Sequence, residues 1–560
     1  MRKSIIVAIF SSLFFSQFAA MAEEENTFNV NSYFNQIWNS REFQYPVTYV
    51  VTGLANTFTI SITSNLSKQP PAASGTDARD PWGSCFSTKD PNCDFSKASL
   101  NGQGSYGILA NIVLPVCIEK TQEDCIESLE IAYGNDNFEK ANLVRTLKTS
   151  HQMPPDPELN FPGGSSVSLW NDANISNSKS KSYMVNVGYE MHYMPDQRKF
   201  DMVNIGFVIK PYREISGDYR APYFDTARKE LMNSQAGGGL GEIWTEDGKA
   251  GVLVDFPSDG KYRLKMRITN KLAGWYQGRI KDPAINIQPL SGTNNLVTIE
   301  GQPVRVPTFA HTTEYSKLSR VQTQWHSRGT GPVTSGFMSA MNSDWRDIFD
   351  YIEYFKPLTG DKTAGSNTLW SVTSTKWNSN NFCLMDTTRL VGIVSTNAMG
   401  YTGSVPTYSN GSLNYRVAGM HYEPDGKTLV EGTYDLLLRS DAARCLYGFS
   451  NAPVQASISV TGDNEQKVAV TSMTEGNGWI KLSAYGFNFS APVIRVKLSQ
   501  EAAAVSQKNG SQTEYAPNVE VAAKPEINVS KRKSINCIKG KISKKVTGTN
   551  PKCPAGFKKK

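Results

Sequence analysis

The sequence predicts a mainly β protein with two or more β-sandwich (Ig-like) domains and few short helices, followed by a linker and a small disulfide-clipped basic tail. Two observations favour this fold class. Short runs of β-branched and aromatic residues, bounded by turn residues, recur along most of the chain, and helical periodicity is rare. The chain also has 560 residues, which is enough for several domains with cores of their own.

The clearest predicted hairpin extends from residue 252 to residue 268. Pro257-Ser258-Asp259-Gly260 has the composition of a tight turn. The strand after it alternates between two sets, Lys261, Arg263, Lys265 and Arg267 on one face and Tyr262, Leu264, Met266 and Ile268 on the other. We therefore expect one face of this strand to be buried and the other to be cationic and exposed to water.

A second set of strands is predicted between residues 432 and 498. Gly426 after Asp425, and Gly478 after Asn477, mark tight turns before and within it. The last strand should be half-buried, because apolar and polar positions alternate along Val493-Ile494-Arg495-Val496-Lys497-Leu498.

One helix is predicted near residue 350. Its apolar positions recur at helical spacing, and they are Trp345, Ile348, Phe349, Ile352 and Phe355. Asp344 can cap its first turn, and Pro357 should prevent the helix from continuing. We expect this helix to close one end of a sandwich.

The first 22 residues have the order of a secretory signal peptide. Arg2 and Lys3 give a positive start, and residues 5–15 are mostly apolar. Ala20-Met21-Ala22 offers the small residues needed for cleavage before Glu23. The apolar stretch is shorter than the ~20 residues of a spanning helix, so we expect export and no transmembrane segment after signal removal.

The predicted segments of the chain follow from these patterns. Residues 501–530 are rich in Ala, Gln, Asn, Ser and Pro, which is typical of a linker. The full division is 1–22 signal peptide, 23–310 N-terminal β-rich region (one or two sandwiches), 311–500 C-terminal β-sandwich region with one helix, 501–530 linker, and 531–560 basic tail.

Cysteine usage agrees with an exported protein, because oxidising compartments favour disulfides. The chain has eight cysteines. Metal binding is the alternative, but the sequence has no CxxC motif and no histidine at ligand spacing from a cysteine, so we expect no metal and no cofactor. The predicted pairs are Cys85 with Cys93, Cys117 with Cys125, Cys537 with Cys553 and, joining two strands, Cys383 with Cys445.

Charge is distributed unevenly along the chain. The net charge is +7, and it falls to +5 without Arg2 and Lys3. The last thirty residues carry eleven basic residues and no acidic one, so residues 23–530 are weakly acidic. The basic residues are Lys531, Arg532, Lys533, Lys539, Lys541, Lys544, Lys545, Lys552, Lys558, Lys559 and Lys560.

This basic tail is the strongest interaction signal in the sequence. Uncompensated cations attract polyanions such as wall polymers, anionic lipid headgroups or nucleic acid in a manner that depends on salt and not on sequence. A disulfide between Cys537 and Cys553 would make the tail a small folded module. The alternative is a solubilising tail whose cysteines have no such role.

Two acidic pairs are the candidates for glycoside hydrolysis, which needs two carboxyl groups across a groove. Glu242 and Glu246 flank Trp244 and follow a glycine-rich run, and Asp347 and Asp350 lie in the predicted helix. The alternative interpretation is a solvated surface turn. We expect no catalytic residue in this chain.

Other site motifs fail at particular positions. The sequence has no Gly-x-Ser-x-Gly nucleophile elbow, no phosphate-binding Gly-Lys-Ser/Thr and no pair of histidines four apart. Asp172, Asn174, Ser176 and Ser178 alternate like the start of a calcium loop. The loop's glycine and terminal glutamate positions hold Asn177 and Tyr183 instead, which favours a turn.

Aromatic residues suggest a sugar-binding surface. Trp275 and Tyr276 follow the cationic strand, so rings and charges could share a surface for an anionic polysaccharide. The alternative is that these rings are core residues and that the charged face only meets water.

The tail resembles a known type of segment. Cys537-Ile538-Lys539-Gly540-Lys541, Lys544-Lys545-Val546-Thr547 and Asn550-Pro551-Lys552-Cys553-Pro554-Ala555-Gly556-Phe557 resemble a recurrent C-terminal segment of large secreted, uncharacterised actinobacterial proteins. Residues 439–449 and 478–498 resemble the β-domain that often precedes it. The resemblance implies an exported, envelope-associated protein, and it brings no catalytic residue.

The sequence therefore favours a non-enzymatic secreted protein, retained at the cell wall, that binds or scaffolds. Its expected partner is an anionic cell-wall polymer or polysaccharide, without specific nucleic-acid binding. The alternatives are a secreted polysaccharide-active hydrolase and a self-associating surface-layer component, which would associate through exposed strand edges. The sequence does not distinguish a monomeric binding protein from a self-associating one.

Overall fold

The fold is mainly β, as the sequence predicts. The structure is a computed structural model, and it describes residues 65–69, 83–85, 87–91, 93–98, 107–134, 137–148, 153–172, 181–216, 222–225, 230–233, 242–246, 249–269, 272–314, 333–338, 341–342, 348–375, 381–402, 405–450, 455–461, 470–489, 493–499, 533–539, 542–548, 553 and 557–559. The predicted signal peptide and linker lie outside these residues.

The strands in the first half of the chain are β1 Asn65–Gln69, β2 Gly83–Cys85, β3 Gly107–Val113, β4 Cys125–Tyr133, β5 Glu139–Lys140, β6 Asn142–Thr146, β7 Ser168–Asn171, β8 Ser182–Met194, β9 Lys199–Ser216, β10 Pro222–Asp225, β11 Glu230–Asn233, β12 Glu242–Glu246, β13 Lys249–Leu253, β14 Gly260–Ile268, β15 Gly274–Pro289 and β16 Asn295–Glu314.

The later strands are β17 Val333–Met338, β18 Met341–Asn342, β19 Gly365–Ser374, β20 Leu390–Thr396, β21 Gly400–Tyr401, β22 Thr407–Ser409, β23 Ser412–Ala418, β24 Gly432–Arg439, β25 Gln455–Thr461, β26 Val470–Gly476, β27 Trp479–Phe487, β28 Val493–Ser499, β29 Lys533–Lys539, β30 Ile542–Gly548 and β31 Lys558–Lys559. Two α-helices are described, α1 Ile348–Thr359 and α2 Ser440–Tyr447.

The chain divides into two compact units, one ending at Glu501 and one beginning at Ala502. We call them the body and the basic module. The predicted boundary near residue 310 falls inside β16, which continues from Asn295 to Glu314. Residues on both sides of it belong to the body, so the structure does not divide the body there.

A central sheet runs through the body. Its strand order is β2-β1-β3-β8-β9-β19-β15-β20-β24-β27-β26. Among these described pairings, all are antiparallel except that of β15 with β20. β15 and β9 are thus joined through β19, which pairs with both strands.

A second sheet covers one face of the central sheet. Its order is β5-β4-β14-β16-β15. β15 takes part in both sheets, because its first half pairs with β19 and β20 while its second half pairs with β16. The core between the two sheets contains Leu264 and Ile299 from the second sheet and Phe207, Val372 and Ile393 from the central sheet.

A third sheet covers the opposite face, with β28 between β23 and β25. Its core joins Tyr415 and Val496 of this sheet to Trp275, Val394 and Leu436 of the central sheet. Neighbouring residues of one strand, such as Ile393 and Val394, therefore enter opposite cores. The body is a three-layered β structure in its described residues, and its immunoglobulin-like identity stays a prediction.

The predicted hairpin at 252–268 is wrong, although its turn forms. Gly260 N donates to Pro257 O at 3.1 Å, which closes the turn. β13 then pairs with β9 and β12, whereas β14 pairs with β4 and β16. The turn therefore connects two sheets instead of two neighbouring strands of one sheet.

Other turn and strand predictions are confirmed. Asn477 and Gly478 have φ of 51° and 80° and join β26 to β27. Asp425 accepts hydrogen bonds from the backbone of Lys427 and Thr428, and Gly426 has φ of 66°. Along β28, Ile494, Val496 and Leu498 are buried, and Arg495 and Lys497 are exposed.

Helix α1 forms where the sequence predicts it, but it does not end before Pro357. It continues to Thr359 with Pro357 in its last turn. Gly360 and Asp361 then adopt φ of 65° and 55°, and the helix ends there. Asp344 and Trp345 lie outside the described residues.

Helix α2 is missed by the sequence analysis. Asp441 in its first turn, Arg444 in its last turn and Gly448 at its C-cap, with φ of 68°, are ordinary helix-end signals. Its eight residues are too few for helical periodicity to be evident.

Three predicted disulfides are confirmed, namely Cys85–Cys93, Cys117–Cys125 and Cys383–Cys445. The third does not join two strands as expected. It connects the 3₁₀ turn Phe382–Leu384 to α2. Cys553 is disulfide-bonded, and its pairing with Cys537 stays a prediction because the Cys537 side chain lies outside the description. None of the described helices is long and apolar enough to cross a membrane.

Candidate functional site

The basic module is a small antiparallel sheet. Its strand order is β30-β29-β31, with β29 in the centre. β29 and β30 pair from Lys533↔Gly548 to Lys539↔Ile542. The basic tail thus contains a folded sheet, as the sequence predicts from its two cysteines.

Six of the eleven predicted cations lie on this sheet. Because cross-strand partners share a face and successive residues alternate, the register assigns each lysine to a face. Lys533, Lys539, Lys544 and Lys559 occupy positions on one face, and Lys545 and Lys558 occupy positions on the other. The five others, which are Lys531, Arg532, Lys541, Lys552 and Lys560, lie outside the described residues.

The described side chains of the module combine half-buried apolar groups with exposed charged groups. Ile538, Phe557 and Cys553 are half-buried. Lys558 and Lys559 are exposed, and Lys558 is the register partner of Ile538. The sheet therefore holds ammonium groups at its surface with no acidic residue in the last thirty positions to neutralise them.

The predicted cationic strand in the body has a different character. β14 buries Tyr262, Leu264, Met266 and Ile268 completely, which confirms the predicted alternation. On its outer face, Arg263 contacts Glu130 at 3.1 Å and Glu300 at 2.9 Å. These carboxylates come from β4 and β16, the two strands that flank β14.

The next two cations of β14 are also paired. Lys265 Nζ lies 2.5 Å from Glu130, and Arg267 Nε lies 2.8 Å from Glu127. Partial burial raises the pKa of Glu130, but hydrogen bonds from Lys265 and Arg263 lower it overall, so the carboxylate stays ionised. Three of the four cations on this face are therefore paired with carboxylates, and these ion pairs join β14 to β4 and β16.

Trp275 and Tyr276 do not form a sugar-stacking surface. Their side chains are 1% and 3% exposed, and they belong to opposite cores of the central sheet. Trp275 Nε1 donates to Leu384 O at 2.8 Å. The alternative interpretation, that these rings are core residues, is the correct one.

The predicted acidic pairs do not form a described carboxylate site. Glu242 and Glu246 lie on β12 and not in a loop, and their side chains are outside the description. Asp350 is exposed on α1, and Asp347 lies outside the described residues.

The predicted calcium-like turn begins at Asp172, which is buried. Asp172 is 4% exposed and accepts a hydrogen bond from Tyr133 Oη. Asn174, Ser176 and Ser178 lie outside the described residues. Among the described residues, no group of three His, Cys, Asp or Glu side chains could hold a metal ion.

The structure adds a groove that the sequence analysis misses. Its volume is about 740 Å³, and its walls include Pro115, Glu123, Asp124, Met153 and Thr269. Asp124 accepts from Tyr189 Oη at 2.7 Å and from Thr269 N at 3.1 Å, so this carboxylate holds the walls together. In the sequence, the proline-rich stretch 153–162 is a signal for a loop at this groove. The composition of that stretch does not show that residues 121–124 and Thr269, which are distant in sequence, form the other walls.

A second groove, of about 490 Å³, lies along the second half of β15. The half-buried Trp479 and the exposed Asn286 and Gln288 line it, together with Glu300. Glu300, the one carboxylate among the described lining residues of this groove, is bound to Arg263.

Comparison with known proteins identifies no relative. No protein-family model, no curated protein and no solved structure matches this chain.

Proposed function

We propose that this protein is a non-enzymatic, exported binding or scaffolding protein whose basic module holds it on anionic polymers of the cell envelope. The observation that carries the proposal is that β29, β30 and β31 form a sheet carrying six lysines, in a segment of thirty residues without an acidic residue. The order of residues 1–22 and the disulfide-bonded cysteines support export.

The electrostatics of the two units support a division of roles. In the body, Arg263, Lys265 and Arg267 of β14 each contact a carboxylate of a neighbouring strand. Within the basic module, the last thirty residues carry eleven cations and no acidic residue. A polyanion binds most favourably to cations that are neutralised only by mobile counterions, because release of those counterions drives binding. Cations that already contact carboxylates of the protein release fewer counterions. The module is thus the favoured contact.

The placement of lysines on both faces of the module favours a flexible linear polymer. A rigid ligand with one binding face would meet only Lys533, Lys539, Lys544 and Lys559, which share one face in the register. A chain of phosphate or carboxylate groups can follow both faces. The resemblance of residues 537–557 to segments of secreted actinobacterial proteins agrees with this assignment.

The test compares retention of three proteins on immobilised polyphosphate and on washed envelopes of the native organism. These are the full chain, the chain ending at Ser530, and a chain in which the six lysines of the sheet are changed to Gln. A fourth protein, with the same six positions changed to Arg, keeps the charge and serves as the control.

We expect the full chain and the Arg control to elute with rising salt, the truncated chain to flow through, and the Gln variant, which keeps five basic residues, to elute at lower salt than the full chain. With about six contacts, the logarithm of affinity should fall with the logarithm of salt with a slope of roughly −4 to −5. Equal retention of the full chain and the truncated chain would show that the module is not the anchor.

A further inference from the structure

A buried arginine lies between the central sheet and the third sheet of the body. Arg279 is on β15, at the point where this strand pairs with Ser371 of β19. Its side chain is 0% exposed, and it is among the largest fully buried side chains in the described residues. Burial of an ionised group is strongly unfavourable unless an opposite charge and hydrogen bonds compensate it.

The hydrogen bonds of Arg279 to main-chain carbonyls use only one of its nitrogens. Nη1 donates to Thr396 O at 2.9 Å and to Ala398 O at 2.5 Å. The guanidinium carbon lies 4.3 Å from the centre of the Tyr401 ring, which is cation–π geometry. Nε and Nη2 are fully buried and have no hydrogen-bond partner among the described residues.

Two further polar groups near Arg279 are also unsatisfied. The Ser371 hydroxyl, on the neighbouring strand, and the Tyr415 hydroxyl, on the covering β23, are buried without a hydrogen-bond partner in the described residues. The Tyr415 and Tyr401 rings are stacked with centroids 6.2 Å apart. Each hydroxyl can donate a hydrogen bond, so the unused groups around Arg279 are four potential donors.

No described carboxylate balances this charge. The groups that act electrostatically on Arg279 are Tyr401 and Tyr415, and Tyr401 is also a side-chain hydrogen-bond partner of the guanidinium. Burial raises the pKa of Tyr415 well above its usual value, so this phenol is a neutral donor and not a phenolate. Burial also lowers the pKa of Arg279, but a guanidinium remains protonated in proteins.

We propose that Arg279 Nε and Nη2, with the hydroxyls of Ser371 and Tyr415, bind a small monovalent anion of halide size. The ligand must be an anion because the unused groups are donors around an uncompensated cation. It must be small because Arg279 has no exposed surface. Bound there, the anion fastens β15 and β19 of the central sheet to β23 of the third sheet.

The first test is crystallographic. Crystals of the full chain grown in sodium bromide should show an anomalous peak within hydrogen-bonding distance of Arg279 Nε and Nη2. A carboxylate of the chain seated on these nitrogens, or an empty position, would overturn the proposal.

The second test measures unfolding of the full chain by urea at constant ionic strength, with bromide replacing a bulky anion such as gluconate. Above the dissociation constant, each tenfold rise in bromide should lower the unfolding equilibrium constant about tenfold, because only the folded state holds the ion. An unfolding constant that does not change with bromide would contradict the proposal.

Variants separate this site from general salt effects. Arg279→Met keeps the length of the side chain and removes the charge, so its stability should no longer depend on bromide. Arg263→Met removes a surface arginine of the β14 ion pairs and should retain the bromide dependence. If Arg279→Met does not fold, Ser371→Ala should weaken bromide binding several-fold, and the crystallographic result decides independently.

Discussion

At the scale of single residues, charged hydrogen bonds fasten loops of the body to its strands. Asp386 accepts hydrogen bonds from Thr388 N and Oγ1 at 2.9 and 2.7 Å and from Arg389 N at 3.1 Å. Arg439 Nη2, at the start of α2, also donates to it at 3.0 Å. This one carboxylate thus connects the segment before β20 to the start of α2.

The Asp386 carboxylate should make stability depend on pH. Its partial burial raises its pKa, but the hydrogen bonds from Thr388, Arg439 and Arg389 lower the pKa well below the usual value. A lowered folded pKa adds stability above the unfolded pKa of ~3.9, and this stability is lost as pH falls through the folded pKa.

We expect Asp386→Asn to lose about 1–3 kcal/mol of unfolding free energy at neutral pH. The difference in unfolding free energy between this variant and the wild type should begin to decrease only below about pH 4, where the Asp386 carboxylate of the unfolded wild-type chain becomes protonated. Urea unfolding at neutral and acidic pH measures it. Asp350→Asn, at an exposed position, is the control and should change stability by no more than about 0.5 kcal/mol. A difference that is constant with pH would contradict this role.

Gly392 on β20 lies where the central sheet leaves no room for a side chain. A Cβ atom there would lie 2.6 Å from Trp275 Cζ3 and 2.7 Å from Leu437 O. The large ring of Trp275 therefore needs the glycine opposite it. Gly476, at the end of β26, has no atom within 4 Å of such a Cβ and offers a matched comparison.

We expect Gly392→Ala to destabilise the body by about 1–3 kcal/mol, since overpacking forces the strand or the ring to move. Gly476→Ala should be neutral within about 0.5 kcal/mol. Thermal unfolding of both variants gives the comparison. Equal melting temperatures for the two would mean that the ring has space that the structure does not show.

The sequence predicts which side of a single strand is apolar, but not what covers each side. The alternation in β14 is visible, because period-2 burial requires it. The burial of Trp275 cannot be predicted in the same way, because residues 275–280 of β15 are buried on both faces and include the polar Gln277 and the charged Arg279. The pairing of Arg263 with Glu300 likewise depends on which strand lies beside β14.

At the scale of elements, turn chemistry is local and strand pairing is not. Asn477-Gly478 and Pro257–Gly260 both form the turns that their residues predict. The first joins paired strands and the second joins different sheets, and no residue in either turn decides between these outcomes. The buried Arg279 has no sequence signal either, because its role depends on β23, more than a hundred residues later.

The disulfides also differ in what they constrain. Cys383–Cys445 spans 62 residues and fastens α2, whereas Cys117–Cys125 spans 8. In the chain-entropy account, a closed loop of the longer length stabilises by about 4 kcal/mol and one of the shorter length by about 2.5 kcal/mol.

We therefore expect a Cys383→Ala, Cys445→Ala double variant to lose more unfolding free energy than a Cys117→Ala, Cys125→Ala double variant, by about 1–2 kcal/mol. Urea unfolding under oxidising conditions compares them. Equal losses would indicate that contacts made in the folded state, and not loop length, determine the contribution.

At the scale of the whole molecule, two long strands hold the layers of the body together. β15 belongs to the central and second sheets, and β16 pairs with β14 and then with β19. The core between these sheets draws on both sides of residue 310, because Leu264 packs in the same cluster as Trp370. Neither side can bury its apolar face alone.

We expect a fragment of residues 23–310 to lack a cooperative unfolding transition, because it has neither β19 nor β20 to pair with β15. A chain of residues 23–501 should unfold in one cooperative transition. Near-ultraviolet circular dichroism during urea titration distinguishes them. A sharp transition for the shorter fragment would support the domain boundary that the sequence predicts.

The parallel pairing of β15 with β20 also sets the order in which the body can form. More than a hundred residues separate Gly278 from its partner Ser395, and they must be synthesised before the two strands can meet. At about 5–20 residues per second, this takes roughly 5–20 s. During that time one edge of β15 has no strand beside it, and such an edge can pair with another chain. Productive folding of this protein should therefore depend on how long its nascent chains are kept apart.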